Sequence, residues 1–311
     1  MSKSVLVIMD PIDSIKVEKD TTFQILLSAQ EINYKLYYLK PESLYIEKNQ
    51  TKGFSQSLKV FDNNTNWFEL SSEKDCELGA FDYILMRKDP PVDVNYINIT
   101  YLLDNIKNNK TKIINNSSSL RNVNEKTSIL DFPNYITETI VTSKKDSIKF
   151  FLDKHKKIIL KPLNLMGGES VYLLEQNKDN VEEIIDKITN YEKNTIMVQK
   201  FLPEIKNGDK RILIINGKPI AEAIIRVPEK NNYIANIAAG GKAKKYIANK
   251  RDLEIAEKVS SYLVNKDIFF AGIDIIGDYL TEINITSPTC MREINYFHNL
   301  DLGRKFWMEM K

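Results

Sequence analysis

The sequence predicts a mixed α/β and α+β fold, in which a parallel α/β unit is followed by antiparallel hairpins. The first observation is the strand–helix–strand order of residues 5–39, which is typical of a right-handed parallel unit. The second is a pair of hairpin patterns at 210–227 and 272–290, where apolar residues alternate along the predicted strands. With 311 residues, of which 42% are apolar, the chain can bury the cores of two or three sub-domains.

The first part of the chain is expected to be the parallel unit. Apolar runs predict strands at 5–9, 35–39, 81–87 and 112–116. Amphipathic patterns predict helices at 21–33 and near 96–109. Pro90 and Pro91 follow the third strand, and they end it because proline cannot donate to a β-ladder. The unit closes at about residue 120.

The rest of the chain combines hairpins with separate helices. Its patterns predict strands at 136–141, 158–161 and 196–202, a glycine loop running into a strand over 166–175, and helices at 146–155, 180–192 and 250–265. Asn216-Gly217 lies at the tip of the 210–227 hairpin and indicates a two-residue turn. Residues 228–246 lack periodicity, so they are expected to form a long loop that serves as a lid or binding loop. The 272–290 hairpin and one C-terminal helix complete the chain.

The composition argues against nucleic-acid binding and membrane insertion. Lys and Arg number 44 against 42 Asp and Glu, a net charge of +2, whereas proteins that follow a phosphate backbone need a strong basic excess. The apolar run 5–9 is too short for a signal peptide or a membrane span. Cys76 and Cys290 are too few for a disulfide framework. A cytoplasmic protein without a nucleic-acid or membrane partner is therefore expected.

Three oxygen-bearing side chains, Asp274, Glu282 and Asn284, lie among the apolar residues of the last hairpin. The apolar residues of both strands are odd-numbered, so odd positions must pair with odd positions if one face is to be apolar. That pairing requires a turn of odd length, from Gly277 to Tyr279, and it places 274 opposite 282 and 272 opposite 284. The three oxygen-bearing side chains then share the other face.

Oxygen donors on one face suit a hard cation such as Mg²⁺, which proteins bind with carboxylates alongside water and substrate phosphates. The alternative is that these side chains form the solvated face of an acidic hairpin. Gly272 and the nearby residues 286–289 favour the metal site, because they are expected to leave room for a ligand.

Lys161, Gly167 and Gly168 form a candidate phosphate site. Lys161 ends a predicted strand, and the glycines that follow let backbone N–H groups approach an anion closely. Neither the P-loop nor the dinucleotide-binding motif occurs, so the glycine pair alone is equally compatible with a simple turn. Lys126 belongs to no motif that these patterns identify, so its side chain is expected to be solvated.

Arg211 and Arg226 lie near the two outer ends of the 210–227 hairpin. Either they are surface residues or they face a shared cleft. No side-chain nucleophile is expected if the chemistry is phosphoryl transfer, which needs positioning and charge neutralisation more than covalent chemistry by the protein. His155 and His298 are accordingly interpreted as structural and Cys290 as a small hydrophobic residue.

Several segments, taken in chain order, resemble those of the bacterial glutathione synthetases, members of the ATP-grasp ligase superfamily. They are VIMDPI (7–12), LMRKDPPVD (85–93), NEK (124–126), ILKPLNLMGG (159–168), VQKFLPEIKNGDKRILIINGKPI (198–220), NIAAGGK (236–242) and GIDIIGDYLTEINITSPTCMREI (272–294). The last block and RKDPP are specific to this family. The lysine and glycine loop alone are common to ATP-grasp enzymes.

The resemblance implies three domains and a reaction. The domains are an N-terminal pre-ATP-grasp domain (1–122), a middle ATP-grasp subdomain (123–202) and a C-terminal catalytic subdomain (203–311), with ATP between two antiparallel sheets of the last two. In the reaction, ATP phosphorylates the cysteinyl carboxylate of γ-glutamylcysteine, and the amine of glycine displaces phosphate from the acyl phosphate. The implied cofactors are ATP and Mg²⁺, with Mn²⁺ as the alternative ion. The implied assembly is a homo-oligomer, a tetramer.

The resemblance also implies roles for individual residues. Nucleotide contacts fall to Lys126, Lys161, Gly167, Gly168, Gln199, Lys200, Phe201, Leu202 and Asp209. The metal ligands are Asp274, Glu282 and Asn284, and the groups at the reacting phosphate are Lys161, Arg211 and Arg226. The substrates are expected to meet Arg87, Asp89, Asn236, Gly240, Gly241, Ser287, Pro288 and Thr289. The family's mobile lid maps to about 228–242.

Two segments depart from the family's pattern. The glycine loop has Asn164 and Leu165 where Asp and Gly are usual, and the lid has Ile234 and Ala235 in place of Arg and Gly. Lys242 replaces an Arg, and it cannot reproduce the bidentate fork of a guanidinium on a carboxylate. These departures leave two alternatives open: a carboxylate–amine ligase with another acceptor or acid, and a non-catalytic ATP-binding protein.

Overall fold

The computed structural model describes residues 2–108, 110–168, 170–229, 235–237 and 240–310. The described strands form three sheets, and the helices pack on their faces. Within the described residues, no helix has both the length and the apolar character needed to cross a membrane.

The first sheet confirms the predicted parallel unit. Its strands are β1 (Ser4–Ile8), β2 (Lys35–Glu47), β3 (Gln50–Val60), β4 (Phe68–Leu70), β5 (Lys74–Glu77), β6 (Tyr83–Met86) and β7 (Lys112–Ile114). In space they run β4-β3-β2-β1-β6-β7, and β5 also pairs with β3. The pairs β1–β2, β1–β6 and β6–β7 are parallel. The antiparallel hairpin β2–β3 was not predicted beyond residue 39.

The helices of this unit are α1 (Thr21–Glu31), α2 (Val94–Asp104) and α3 (Ser117–Asn122). Asp20 begins α1 and Asp93 begins α2, and each carboxylate accepts a hydrogen bond from the backbone N–H three residues later. Such caps satisfy N–H groups that have no partner within the helix. The helices therefore begin where the sequence places an acidic cap.

The second sheet is antiparallel throughout. It consists of β8 (Thr139–Thr142), β9 (Lys157–Pro162), β10 (Tyr172–Glu175) and β11 (Ile196–Lys200), in the order β10-β9-β11-β8. Helices α4 (Lys145–His155) and α5 (Val181–Thr189) cover one face. They bury a separate core that includes Ile148, Leu160, Ile185 and Val198. All four strand predictions and both helix predictions for this section are confirmed, with shifts at the ends.

The third sheet carries the two predicted hairpins. Its strands are β12 (Asp209–Ile215), β13 (Lys218–Pro219), β14 (Glu222–Val227), β15 (Lys242–Ile247), β16 (Phe270–Ile276) and β17 (Tyr279–Asn284), in the order β15-β14-β12-β16-β17. Asn216 and Gly217 have φ of 49° and 68° between the paired residues Ile215 and Lys218. This geometry confirms the two-residue turn, because a type I′ turn requires positive φ at both positions.

Strand β15 corrects the expectation that 228–246 is all loop. Residues 242–247 pair with β14 along its full length. Their sequence, KAKKYI, lies at the sheet edge and exposes its lysines, so it lacks the apolar alternation on which the prediction depended. Helix α6 (Lys250–Asn265) follows and matches its predicted bounds. A capping box formed by Asn249 and Asp252 starts it.

The register of the acidic hairpin is confirmed, but the predicted turn is wrong. Asp274 pairs with Glu282, and 272 with 284, as expected. The turn nevertheless has two residues, since Ile276 pairs with Tyr279, and Gly277 adopts φ of 58°. A β-bulge restores the register: 275 pairs with 280, so that Thr281 is the extra residue on β17.

The C-terminal segment forms two helices instead of the predicted one. They are α7 (Met291–His298) and α8 (Leu302–Glu309), and Asn299 separates them with φ of 52°. Helix α8 packs on α1, where the Trp307 Nε1 donates to the carbonyl of Ile25 at 2.8 Å. The end of the chain therefore returns to the first sheet.

Candidate active site

A cleft lies between the second and third sheets. The residues lining it include every one predicted to contact the nucleotide: Lys126, Lys161, Gly167, Gly168, Gln199, Lys200, Phe201, Leu202 and Asp209. Asn236, Asp274 and Glu282 line it as well. Residues spread over more than 150 positions of sequence thus meet at one place.

The apolar walls of the cleft come from residues that sequence reasoning missed. They include Ile159, Val171, Ile205 and Ile276. Ile159 lies two residues before Lys161 on β9, and alternate residues of a strand face the same side. Strand periodicity could therefore have identified Ile159. Apolar walls between two sheets suit a flat ring such as a nucleobase.

The glycine loop closes one end of the cleft. Gly167 and Gly168 have φ of 66° and 83°, a region that side chains with a Cβ rarely adopt. Lys126 reaches the start of this loop, where its Nζ donates to the carbonyl of Leu165 at 2.5 Å. The same Nζ lies 3.1 Å from Glu282 Oε1. Lys126 therefore joins the glycine loop to the acidic hairpin.

Lys161 is available to an anionic ligand. Burial lowers the pKa of its ammonium, and the neighbouring charge of Lys126 acts in the same direction, while Glu282 opposes both. Among the described residues, no carboxylate forms an ion pair with Lys161. A buried cation without a close partner gains most from a bound negative group, because that group replaces lost solvation.

A buried network of two carboxylates and two guanidiniums lies below the cleft. Arg211 binds Asp274 in a bidentate manner, with Nε–Oδ1 at 2.5 Å and Nη2–Oδ2 at 2.9 Å. Arg226 Nη2 lies 2.9 Å from Asp274 Oδ1 and also bonds Asp209. Strand pairing explains the network, since 211 lies opposite 274 and 209 opposite 226. Both arginines thus face a shared interior, which resolves the choice that the sequence left open.

The two carboxylates of this network have opposite pKa shifts. Burial alone would raise the pKa of Asp274, but Arg211 and then Arg226 outweigh burial and hold that pKa well below its usual range. For Asp209, burial dominates and raises the pKa to about 7, although Arg226 works against it. Asp274 is therefore ionised throughout the neutral range, whereas Asp209 can carry a proton.

The predicted metal ligands lie together, but Asp274 is engaged. Its two oxygens receive three N–H contacts from the arginines and one from Asn284 Nδ2 at 3.3 Å. A carboxylate offers about four acceptor positions, so a cation would have to displace one of these contacts. Glu282 has 19% of its side chain exposed and faces the cleft. Within the described residues, no cluster of three His, Cys, Asp or Glu side chains was found.

Gly272 does not leave room for a ligand, contrary to the sequence-based expectation. A Cβ there would lie 3.1 Å from Arg211 Cδ and 3.2 Å from Arg211 Nη1. The side chain of Arg211 crosses the strand at this point on its way to Asp274. The glycine thus serves the buried network.

The residues predicted to meet the dipeptide form a second cluster, outside the lining of the cleft. Arg87 Nη2 donates to the carbonyl of Pro288 at 3.0 Å, and Arg87 Nε donates to Thr22 at 2.9 Å. Asp89 hydrogen-bonds Ser287 through its side chain, and burial raises the pKa of Asp89. The end of β6 is thus joined to the 287–289 turn.

Of the predicted lid, residues 228–229, 235–237 and 240–242 are described. The backbone carbonyl of Asn236 accepts a hydrogen bond from the N–H of Gly241 at 3.1 Å. A Cβ at Gly241 would lie 1.9 Å from the carbonyl oxygen of Ala235, so only glycine fits this close approach. Gly240 donates to the carbonyl of Ile237. The predicted lid positions 230–234 and 238–239 lie outside the described residues.

The histidines and Cys290 lie outside the cleft lining. His298 Nε2 lies 2.8 Å from the carbonyl of Ala223, and His155 Nε2 lies 3.2 Å from Glu138. Cys290 is buried, and burial raises the pKa of its thiol. A neutral buried thiol is a poor nucleophile, in line with the interpretation as a small hydrophobic residue.

Two antiparallel sheets with a cleft between them, lined by lysines, a glycine loop and carboxylates, define an ATP-grasp ligase. The chain shares this fold with D-cycloserine synthetase DcsG, with a TM-score of 0.69 and 10% identity over 98% of each chain. It also resembles ATP-grasp ligase PsnB, solved with a variant of its minimal precursor, Mg and ADP, with a TM-score of 0.62 and 14% identity over 100% of each chain. At these identities the likeness concerns the fold alone.

The particular family follows from the sequence matches. Residues 4–121 match the N-terminal domain, and residues 125–299 the ATP-grasp domain, of prokaryotic glutathione synthetase. The glutathione synthetase of Wigglesworthia glossinidia brevipalpis is 43% identical over 297 residues, which span 96% of this chain and 94% of that one. The chain belongs to the prokaryotic glutathione synthetase family. The resemblance and the activity expected from it, ATP-dependent synthesis of glutathione, are thereby confirmed.

Proposed function

We propose that the chain joins γ-glutamylcysteine to glycine through an acyl phosphate, with ATP converted to ADP and phosphate. The observation that carries this proposal is the convergence, in one cleft, of the nine residues expected to hold the nucleotide with Asp274 and Glu282 of the acidic hairpin. Family membership supplies the reaction, and the contacts around the cleft suggest how the residues divide the work.

The nucleotide is proposed to lie with its base between the apolar walls and its phosphates toward Lys126 and Lys161. Strand β11 ends at Lys200, and the Phe201 N–H still donates to the Lys157 carbonyl at 3.1 Å. The other backbone groups of residues 199–202, which line the cleft, are proposed to read an adenine edge. Gly167 and Gly168 fold over the phosphates with their N–H groups. Asp209 accepts a ribose hydroxyl in its ionised form.

Glu282 and Asn284, with Asp274 after release of one N–H contact, are proposed to hold divalent cations. Oxygen donors of this kind suit Mg²⁺, and Mn²⁺ is the alternative ion. A bound cation there supplies charge neutralisation to the phosphate being transferred. Glu282 lies 3.1 Å from Lys126 Nζ, so a cation bound there would compete with this ammonium for the carboxylate.

Arg211, Arg226 and Lys161 are proposed to stabilise the transferring phosphate and the acyl phosphate. The arginines are held by Asp274 and need little reorganisation when negative charge develops. Arg87, Asp89 and the Ser287-Pro288-Thr289 turn are proposed to orient the dipeptide. Asn236, Gly240 and Gly241 bring the lid end against the substrates, which excludes water that would hydrolyse the acyl phosphate.

One assay tests the proposal and separates its alternatives. Purified protein receives ATP, Mg²⁺ and γ-glutamylcysteine with a panel of amines, and ADP release is followed together with identification of the product. Turnover with glycine, and glutathione as product, is the expected result. Turnover with another amine would select a ligase of different acceptor specificity, and nucleotide binding without turnover would select a non-catalytic protein. A homo-oligomer, with a tetramer as the specific expectation, and a cytoplasmic location remain proposals.

A further inference from the structure

The segment Asn124-Glu125-Lys126 touches both halves of the proposed active site. Asn124 Nδ2 donates to the carbonyl of Leu163 at 2.9 Å, at the entrance of the glycine loop. Lys126 contacts Leu165 and Glu282. Between them, Glu125 points in a different direction. It is 8% exposed and faces the end of β17.

Glu125 gathers three donors on one oxygen. Its Oε1 accepts from the N–H of Ile285 at 2.7 Å, the N–H of Thr286 at 2.8 Å and the hydroxyl of Thr286 at 2.9 Å. Its backbone carbonyl also accepts from the N–H of Ile283 at 2.9 Å. Glu125 therefore fixes the backbone at Ile283, within β17, and at Ile285 and Thr286, just beyond its end.

The location explains why these donors need Glu125. Among the described strands, β17 is the last of its sheet, so its outer N–H groups face no other described strand. The backbone carbonyls of Tyr135 and Glu125 accept hydrogen bonds from the N–H groups of Leu280 and Ile283, respectively. Beyond the end of the strand, the Glu125 side chain accepts the hydrogen bond from the N–H of Ile285. Unpaired buried N–H groups would otherwise destabilise this segment.

The carbonyl of Ile285 is held as well. Asn115 Nδ2 donates to the carbonyl of Ile285 at 2.6 Å and to that of Phe270 at 2.7 Å. Ile285 is therefore fixed at its N–H by Glu125 and at its carbonyl by Asn115. The direction in which the chain enters Ser287-Pro288-Thr289 follows from these two contacts.

We propose that Glu125 is a positioning residue for γ-glutamylcysteine, which holds the 286–289 turn in place relative to Lys126 and Glu282 on the nucleotide side. The inference rests on the proposed function, in which this turn meets the dipeptide. Glu125 itself contacts neither substrate. Its carboxylate acts through the backbone and hydroxyl of Thr286.

Glu125 holds the three donors most strongly as a carboxylate, because charge-assisted hydrogen bonds are stronger than neutral ones, although burial and the charge of Glu282 raise its pKa. Glu125→Gln keeps the size and one acceptor oxygen but removes the charge. We expect it to raise KM for γ-glutamylcysteine about five-fold and to change KM for ATP by less than about two-fold. Glu125→Asp shortens the side chain by one methylene group, so that its carboxylate no longer reaches the N–H groups of Ile285 and Thr286. This variant should raise the dipeptide KM about ten-fold or more.

Thr286→Val tests the same contact from the Thr286 side. It is the second variant to measure if the Glu125 variants fail to fold. Removing the hydroxyl should raise the dipeptide KM about three-fold, with KM for ATP unchanged. In the double variant Glu125→Gln/Thr286→Val, the two effects should combine to less than their product, because the first weakens and the second removes the same hydrogen bond. Glu73→Gln, at an exposed carboxylate between β4 and β5 of the first sheet, serves as the matched control.

The outcomes separate this inference from the proposed function. A purely structural role predicts a lower melting temperature in Glu125→Gln with both KM values unchanged or raised equally, and that result would overturn the inference. Ser287→Ala is measured in parallel. If Ser287→Ala raises the dipeptide KM and Glu125→Gln and Thr286→Val do not, the inference fails while the dipeptide site stands. If none of the three changes it, the assignment of the turn to the dipeptide also fails.

Discussion

Glu282→Gln is the substitution that most sharply separates catalysis from folding in this chain. The change keeps the shape of the side chain and one oxygen, and it replaces the other oxygen with an amide nitrogen. In the structure, Glu282 faces the cleft and contacts Lys126 at 3.1 Å. The substitution thus removes a proposed metal ligand and one ion pair.

The cost to folding should be small. The side chains of Lys126 and Glu282 are 5% and 19% exposed, which places the pair between a surface and a buried ion pair. Lys126 keeps its bond to the Leu165 carbonyl, so its charge is not left without an acceptor. We expect a loss of about 1–2 kcal/mol in the free energy of unfolding.

The cost to turnover should be much larger. Charge neutralisation at a transferring phosphate contributes several kcal/mol to the transition state, and a loss of about 3 kcal/mol lowers kcat about 100-fold. ADP release under saturating substrates measures kcat, and urea unfolding measures stability. Asp278→Asn, at the exposed tip of the same hairpin, is the control and should leave both quantities unchanged. Turnover of Glu282→Gln near that of the unmodified protein would refute the metal role.

Three further predictions concern Lys161 and the buried charges. Because burial lowers the pKa of Lys161 below 10.5, affinity for ATP should fall as pH rises through that lowered pKa, and Lys161→Arg should shift the fall to higher pH in a binding titration. Gly272→Ala forces Arg211 to move, so kcat should fall, and urea unfolding should show that the free energy of unfolding falls by about 1–2 kcal/mol. An unchanged kcat would argue against a position of Arg211 at the phosphate. Asp252→Asn leaves the Lys210 ammonium without its buried carboxylate, so the free energy of unfolding measured in urea should fall by about 3–5 kcal/mol. A fall of less than about 1 kcal/mol would contradict this prediction.

The acidic hairpin shows what apolar alternation can and cannot predict. The odd-numbered apolar residues required 274 to pair with 282, and the structure has that pairing. The same pairing can arise from an odd turn or from an even turn plus a bulge, and alternation does not distinguish them. The bulge at Thr281 depends on the local backbone, where the Thr281 hydroxyl donates to the Asp274 carbonyl at 3.1 Å.

Strand β15 was missed for a related reason. An edge strand with exposed lysines buries little apolar surface, so the sequence carries no periodic pattern there. Its pairing with β14 is a tertiary contact that only the assembled sheet provides.

Part of the candidate site was predictable from the sequence. The lysines and glycines predicted to contact the nucleotide, with Asp274 and Glu282, line the cleft, whereas its apolar walls and its side-chain contacts were not predicted. The bidentate Arg211–Asp274 pair joins residues 63 positions apart, and Glu125 meets Thr286 across 161 positions. Such contacts depend on which strands become neighbours, and residue spacing alone does not specify that.

The most direct test of the central claim is the position of Mn²⁺ in crystals grown with ADP, located by its anomalous scattering. The account predicts Mn²⁺ within about 2.2 Å of oxygens from the acidic hairpin, with Glu282 among them, and next to the ADP phosphates and Lys161. An ion bound away from Glu282, or a nucleotide outside the cleft between the second and third sheets, would contradict it.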